Sequence, residues 1–261
     1  MDTISTGNTI AFLFDCYEKG LIGNDFAQGL DLSWGNSETI IKLIEMIAKR
    51  DGCGDVLAEG SLRTAQHIGK ECEKIVIHAK GQEFPGFEVR RANGTGLSFA
   101  TSNRGACHLR SCFYIDELLG GLNPEGLGVE KVHLLIEKEN LMALVDSFVM
   151  CKFGQRNGEF TIDVISEMLG HLTGMIFSSQ DLKQIGERIY NLERHYNLSM
   201  NPGMVDVIPD RFFDEDLQDG MKGGSRISRE KFAEAVSLYY GARGWNSDGV
   251  PKYVKTHFIP G

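Results

Sequence analysis

The chain contains no apolar run near the ~20 residues that a membrane-spanning helix requires. Its start, Met1 to Gly7, has neither a basic segment nor an apolar one, so no signal peptide is expected and the cytoplasm is the expected location. Basic residues are in deficit, with 27 Lys and Arg against 36 Asp and Glu, a net charge of -9. That balance excludes a surface built to neutralise phosphates, and with it nucleic acid as a partner. It also argues against an anionic membrane surface. No two of the six cysteines stand in Cys-x-x-Cys spacing. Disulfides are rare in a reducing compartment, so Cys16, Cys53 and Cys72 read as small buried apolar side chains. Internal repeats and low-complexity tracts are missing as well.

What is present is helical patterning over 261 residues, enough chain for a real core. Apolar spacing predicts a helix from Thr6 to Lys19 with Gly20 as its stop, and a second one capped by Asn36 or Ser37 and running to Arg50. Asp55 can cap a third, through Leu57, Leu62 and Ile68 to Gly69. Lys74 to Ala79 alternates and is β-branched, which predicts a short strand. Gly81 to Gly105 is Gly-rich and polar and reads as a long ordered loop. A long helix is expected from Val129 to Phe153, ended by Gly154. Others are expected at Thr161–Leu172, from Ser178 or Ser179 to Tyr196, and from Ser228 to Gly241. Pro209 to Gly224 is acidic and Gly-rich without a period, and Gly244 to Pro251 is turn-rich. The expected class is mainly α: multihelical, two packed helical subdomains with long ordered loops and few short strands. The expected division is residues 1–155 and 156–261.

Three segments could carry chemistry. Asp146 and Cys151 are five residues apart, ~140° around a helix. They can serve two adjacent groups only if the helix ends between or beside them. A carboxylate accepts hydrogen bonds from N–H groups, and a thiolate binds iron. The plainer reading is a helix-end Asp and a buried Cys. In the second segment, Ser102 to Arg110, Arg104, His108 and Arg110 crowd beside Gly105. His suits proton transfer, and guanidinium groups suit phosphate or carboxylate. Cys107, His108 and Cys112 could be metal ligands but lack a fourth partner at a usual spacing. A solvated loop facing acidic surface is the alternative. The third is Asp2 to Asn8, where Ser5 or Thr6 can cap the first helix and its N-terminus could hold an anion.

Seven stretches, in order, resemble the tungsten-containing aldehyde ferredoxin oxidoreductase family. They are Asp2-Thr-Ile-Ser-Thr-Gly-Asn8, Asp31-Leu-Ser-Trp-Gly-Asn36, Gly54-Asp-Val-Leu-Ala-Glu-Gly60, Lys80-Gly-Gln-Glu83, Ala100 to Arg110, Asp146 to Phe153, and Arg243 to Pro251. The resemblance covers almost the whole chain and implies the helical, C-terminal portion of such an enzyme. It implies a tungsten (or molybdenum) bis-pterin cofactor and a [4Fe-4S] cluster. It also implies oxidation of a small aldehyde to a carboxylic acid, with ferredoxin as electron acceptor. On this resemblance Cys151 matches a cluster ligand, Asp146 and Asp2 match pterin-binding acids, Met150 and Lys152 flank them beside the cofactors, and His108 matches a proton-transfer histidine near the metal.

The family's N-terminal β domain and its run of three cluster cysteines have no counterpart in these residues. The resemblance therefore implies that the β domain is supplied in cis or in trans, that both cofactors are absent or incomplete in the isolated chain, and that the isolated chain is inactive. An apolar face left where that domain docks predicts self-association, so a homo-oligomer is expected. Two alternatives stay open. A relative could act on another carbonyl or an acyl-thioester, and a non-enzymatic helical subunit or remnant could dock on a partner carrying the β domain.

Overall fold

Short polar side chains at Asp2, Asn36, Thr161 and Ser178 cap four of the longer helices, as their N-cap chemistry predicts. The computed structural model describes residues 1–156, 160–217 and 226–252. Thirteen α-helices and one two-stranded sheet occur among them. The first are α1 (Thr3–Glu18), α2 (Ser37–Lys49), α3 (Cys53–Leu57), α4 (Ser61–Ile68) and α5 (Lys70–Ile75), followed by strands β1 (His78–Ala79) and β2 (Gln82–Glu83). Next come α6 (Asn93–Thr101), α7 (Tyr114–Leu118), α8 (Val129–Ser147), α9 (Lys152–Arg156), α10 (Ile162–Thr173), α11 (Ser179–Met200), α12 (Arg211–Asp214) and α13 (Arg229–Ala242). Single 3-10 turns lie at Val89–Arg91 and His108–Arg110. The mainly α, multihelical class expected from the sequence is what the chain adopts. No helix among the described residues is long and apolar enough to cross a membrane.

Several local expectations are corrected. α1 begins at Thr3 rather than Thr6, because the Asp2 carboxylate accepts from the Ser5 N–H at 2.6 Å and becomes the cap. The single helix expected from Asp55 to Ile68 is two helices. Gly60, at φ +89°, turns the chain, and buried Glu83 accepts from the N–H and hydroxyl of Ser61 at 2.7 and 2.9 Å to open α4. Lys74 and Ile75 are helical; only His78 and Ala79 pair as strand, antiparallel to β2 across the tight Lys80-Gly81 turn. Both turn residues have positive φ, as a two-residue hairpin demands.

The expected loop at 81–105 contains α6. Its opening N–H groups, on Gly94 and Thr95, both donate to the Glu117 carboxylate at 2.8 Å. A Cβ at Gly94 would stand 2.3 Å from the Phe113 ring, so glycine is required there by close approach. The cap of α6 is thus tertiary and leaves no local signature. Residues 218–224 of the acidic, Gly-rich stretch lie outside the described residues.

Contacts group the chain otherwise than a sequential division at residue 155. One unit comprises residues 1–92, 99–107 and 205–228; the other comprises 93–98, 108–204 and 229–261. In the first, Leu13 and Phe14 of α1, Leu43 and Ile47 of α2, Leu57 of α3 and Ala65 of α4 share a core. Each such large side chain contributes roughly 1.5–3 kcal/mol by leaving water. Cys16, Cys53 and Cys72 lie buried in this core, as expected for small apolar side chains.

The second unit is organised by α8 packing along α11. Gly186 permits it, since a Cβ there would stand 2.3 Å from the Asn140 carbonyl oxygen. A buried ion pair ties α13 to the same helices. Arg243 Nη2 lies 2.7 Å from Glu139 Oε2, and Tyr239 donates its hydroxyl to the same oxygen at 2.6 Å. The Arg243 guanidinium also stacks over the Tyr190 ring at 3.9 Å. The turn-rich ending is pinned to α11 by Trp245 Nε1 donating to Asn191 and by Arg194 Nε donating to the Gly249 carbonyl.

Candidate functional site

α8 ends at Ser147, earlier than the Gly154 stop that the sequence suggests. Phe148 and Val149 donate to the carbonyls three residues back, closing the helix with tight turns. Val149 then adopts φ +56° with 94% of its surface exposed. A β-branched residue in the left-handed region costs about 1–3 kcal/mol and marks a place where the surroundings impose the backbone. Gly154 lies inside α9 instead, where the Phe160 ring leaves no room for a Cβ.

Asp146 therefore sits in the last turn of α8, and Cys151 lies beyond it, just before α9. The helix does end between them, which frees the two side chains from their ~140° separation. Cys151 is exposed, whereas the other five cysteines are buried. Met150 packs against the cluster of Leu144, Val145, Ile165 and Leu182, which anchors the connecting segment.

The Asp146 carboxylate is met by two cations. Arg110 Nη1 donates to it at 2.6 Å, and Lys152 Nζ lies 2.9 Å from its other oxygen. Lys152 also donates to the Leu109 carbonyl at 3.1 Å. Arg110 is buried, and its second terminal nitrogen engages Glu193 of α11. Burial alone would lower the Arg110 pKa, but the Glu193 and Asp146 carboxylates outweigh it and hold the group above the usual arginine range. The guanidinium thus stays charged.

His108 begins the 3-10 turn that ends in Arg110. It is half-buried, with its ring edge-to-face on Tyr114 at 5.8 Å. Burial lowers its pKa below 6.5, so the imidazole is neutral at pH 7 and can take up a proton. Arg104 is exposed, while Cys107 and Cys112 are buried. Among the described residues no three His, Cys, Asp or Glu side chains gather as a metal site. Asp2 belongs to the first unit, where it caps α1.

The structure thus joins Asp146, Lys152 and Arg110 in one hydrogen-bonded group, with Met150 and Cys151 on the same connection and His108 on the neighbouring turn. Sequence reasoning missed Glu193, which is 83 residues from Arg110, and it left the pairing of Arg110 open. The only sequence signal was the suitability of a guanidinium for a carboxylate.

Residues 1–257 match the family model described as aldehyde ferredoxin oxidoreductase, domains 2 and 3. The chain belongs to the aldehyde ferredoxin oxidoreductase family. It is 37% identical over 259 residues to the tungsten-containing aldehyde ferredoxin oxidoreductase of Pyrococcus furiosus, covering 97% of this chain and 42% of that protein. The namesake from Thermococcus kodakarensis is 37% identical over 255 residues, covering 95% of this chain and 41% of the relative. An aliphatic sulfonate oxidoreductase, WOR-like subunit, of Pyrococcus furiosus is 29% identical over 265 residues, covering 97% of this chain and 39% of that subunit. The chain thus spans about two fifths of the length of these curated relatives. Among solved structures, the active site complex BamBC of benzoyl coenzyme A reductase with 1,5 dienoyl-CoA matches 96% of this chain and 42% of that one. The TM-score is 0.71 at 22% identity, a likeness of fold.

Proposed function

We propose that this chain forms the helical part of an oxidoreductase that converts small aldehydes to carboxylic acids with a tungsten (or molybdenum) bis-pterin cofactor and a [4Fe-4S] cluster, passing electrons to ferredoxin. The observation that carries this reading is the exposed Cys151, presented just beyond the α8 end that bears Asp146, in a chain of this family. The donor set fits one side of such a centre. Cys151 offers a single accessible thiol for a cluster iron, and Asp146, 35% exposed, keeps carboxylate surface open for the N–H groups of a pterin. The remaining thiolates and the β domain would come from chain in cis or from a partner.

When bound, the pterin-held metal supplies two-electron exchange with the carbonyl carbon, and the cluster carries electrons onward singly. The protein residues do the rest. Asp146, and Asp2 at the α1 cap, accept hydrogen bonds that orient the pterins. Met150 packs the connection and Lys152 steadies it beside Cys151. Neutral His108 takes up one of the protons released when water and aldehyde become a carboxylic acid. The isolated chain is inactive on this reading, because one thiolate leaves a cluster exposed and labile.

The test uses the complete protein containing this chain, purified anaerobically. Tungsten or molybdenum, a paramagnetic cluster and aldehyde-dependent ferredoxin reduction are expected. Cys151→Ala should abolish the cluster signal while leaving the circular dichroism unchanged. A metal-free protein that stays inactive after reconstitution would sink the proposal. The similarity to a relative named as a subunit favours a second reading, in which the chain serves a multi-subunit enzyme. On that reading another carbonyl compound or an acyl-thioester would be the substrate. Co-purification with a separate β-domain chain, and turnover of such substrates in preference to aldehydes, would select it.

A further inference from the structure

We propose that Arg110 and Lys152 are positioning residues that couple the His108 turn to the Cys151 connection and hold the two at a fixed spacing. The inference rests on the reading of His108 and Cys151 as parts of one site. Two bonds cross between the segments. Lys152, the residue after Cys151, donates to the carbonyl of Leu109, the residue after His108. Arg110, two residues past His108, donates to Asp146, five residues before Cys151. Lys152 also meets Asp146, so the ring closes.

Three features show that this ring is held rather than incidental. The Arg110 side chain is only 5% exposed, so it is not a surface pair free to exchange with water. Glu193 engages its other terminal nitrogen and fastens the ring to α11, the longest described helix. The connection between the two anchors is forced, with Val149 at φ +56°. A relaxed connection would let that residue return to the extended region. The backbone is instead drawn between Asp146, held by the ring, and Met150, held by the apolar cluster. Movement of either segment must therefore break a charge-assisted bond to the other.

Hydrogen exchange of the 261-residue chain, read by mass spectrometry, tests the coupling. In Arg110→Gln, amides of both 107–112 and 147–153 should exchange about 10- to 100-fold faster, the range expected for losing a hydrogen bond to a charged group. Amides of α1 and α13 should be unchanged. Lys152→Met should loosen the same two segments by a smaller factor. Arg110→Lys should restore protection at 147–153 but not the link to Glu193, a rescue that mere filling of space would not give.

Faster exchange confined to the mutated residue's own segment, or spread evenly over the chain, would overturn the proposal. If Arg110→Gln does not fold, Lys152→Met decides alone, because it must loosen 107–112 across the ring. Failure of the functional reading shows elsewhere. A cluster unaffected by Cys151→Ala in the complete protein would remove the site that the ring serves. One-sided exchange would remove the coupling and leave the site.

Discussion

Glu139 and Asp146 stand seven residues apart on α8, which places them within ~20° of the same helix face. Each is answered by an arginine from elsewhere in the second unit, yet the two pairs differ in kind. Glu139 and Arg243 are both closed from water, and the hydroxyl of Tyr239 completes the group. One oxygen, Glu139 Oε1, has no hydrogen-bond partner among the described residues. Asp146 keeps 35% of its side chain in solvent and shares a buried arginine with Glu193. The first pair locks α13 onto α8. The second holds a carboxylate in place while leaving part of it open. The same acid–arginine chemistry is structural or available according to burial alone.

Breaking the closed pair should have the largest effect on stability. Arg243→Met leaves Glu139 charged in the interior and should cost about 3–5 kcal/mol, measured by urea unfolding. A loss under about 1 kcal/mol would mean that water reaches Glu139 and that the contrast with Asp146 is false. Gly186→Ala disturbs the helix packing that supports both pairs. Its Cβ meets the Asn140 carbonyl at 2.3 Å, and overpacking of that kind should cost about 1–3 kcal/mol by the same measurement.

Asp146→Asn should cost about 1 kcal/mol, because the half-buried amide still accepts from Arg110 and Lys152 without the charge, and both cations keep Glu193 and the Leu109 carbonyl as other partners. Pterin content of the complete protein should nevertheless fall sharply, separating the open acid from the closed one. The smallest effect is on pH. Burial lowers the pKa of His78 and of His108 below 6.5 in the folded chain. The unfolded chain therefore takes up protons first as pH falls below 6.5. The stability associated with neutral histidine is full above that pH and is lost as pH falls through the folded values. Thermal unfolding between pH 7 and 5 should show this decline, and His78→Asn should flatten it in part. An unchanged slope in that variant would assign the decline to other groups.

Much of the fold was legible from local chemistry. Asn36, Thr161 and Ser178 cap α2, α10 and α11, since a short polar side chain before an apolar period needs only its own neighbours. That the long helix ends close to Asp146 and Cys151 was legible, though not that it ends at Ser147. α6 was not, because its cap is Glu117, more than twenty residues away. The end of α8 was misplaced because Gly154, an ordinary stop signal, is spent on room for the Phe160 ring.

By itself the sequence determined the helical class, the burial of the three early cysteines and the ordered motifs that carry the family. These depend on composition, short-range periodicity and residue identity, all local quantities. Only the tertiary structure decided that Arg110 is buried, that it joins Asp146 to Glu193, and that Lys152 reaches back to Leu109. Those partners lie 36, 83 and 43 residues apart, and no local propensity distinguishes a charge that will meet its partner from one that will face water.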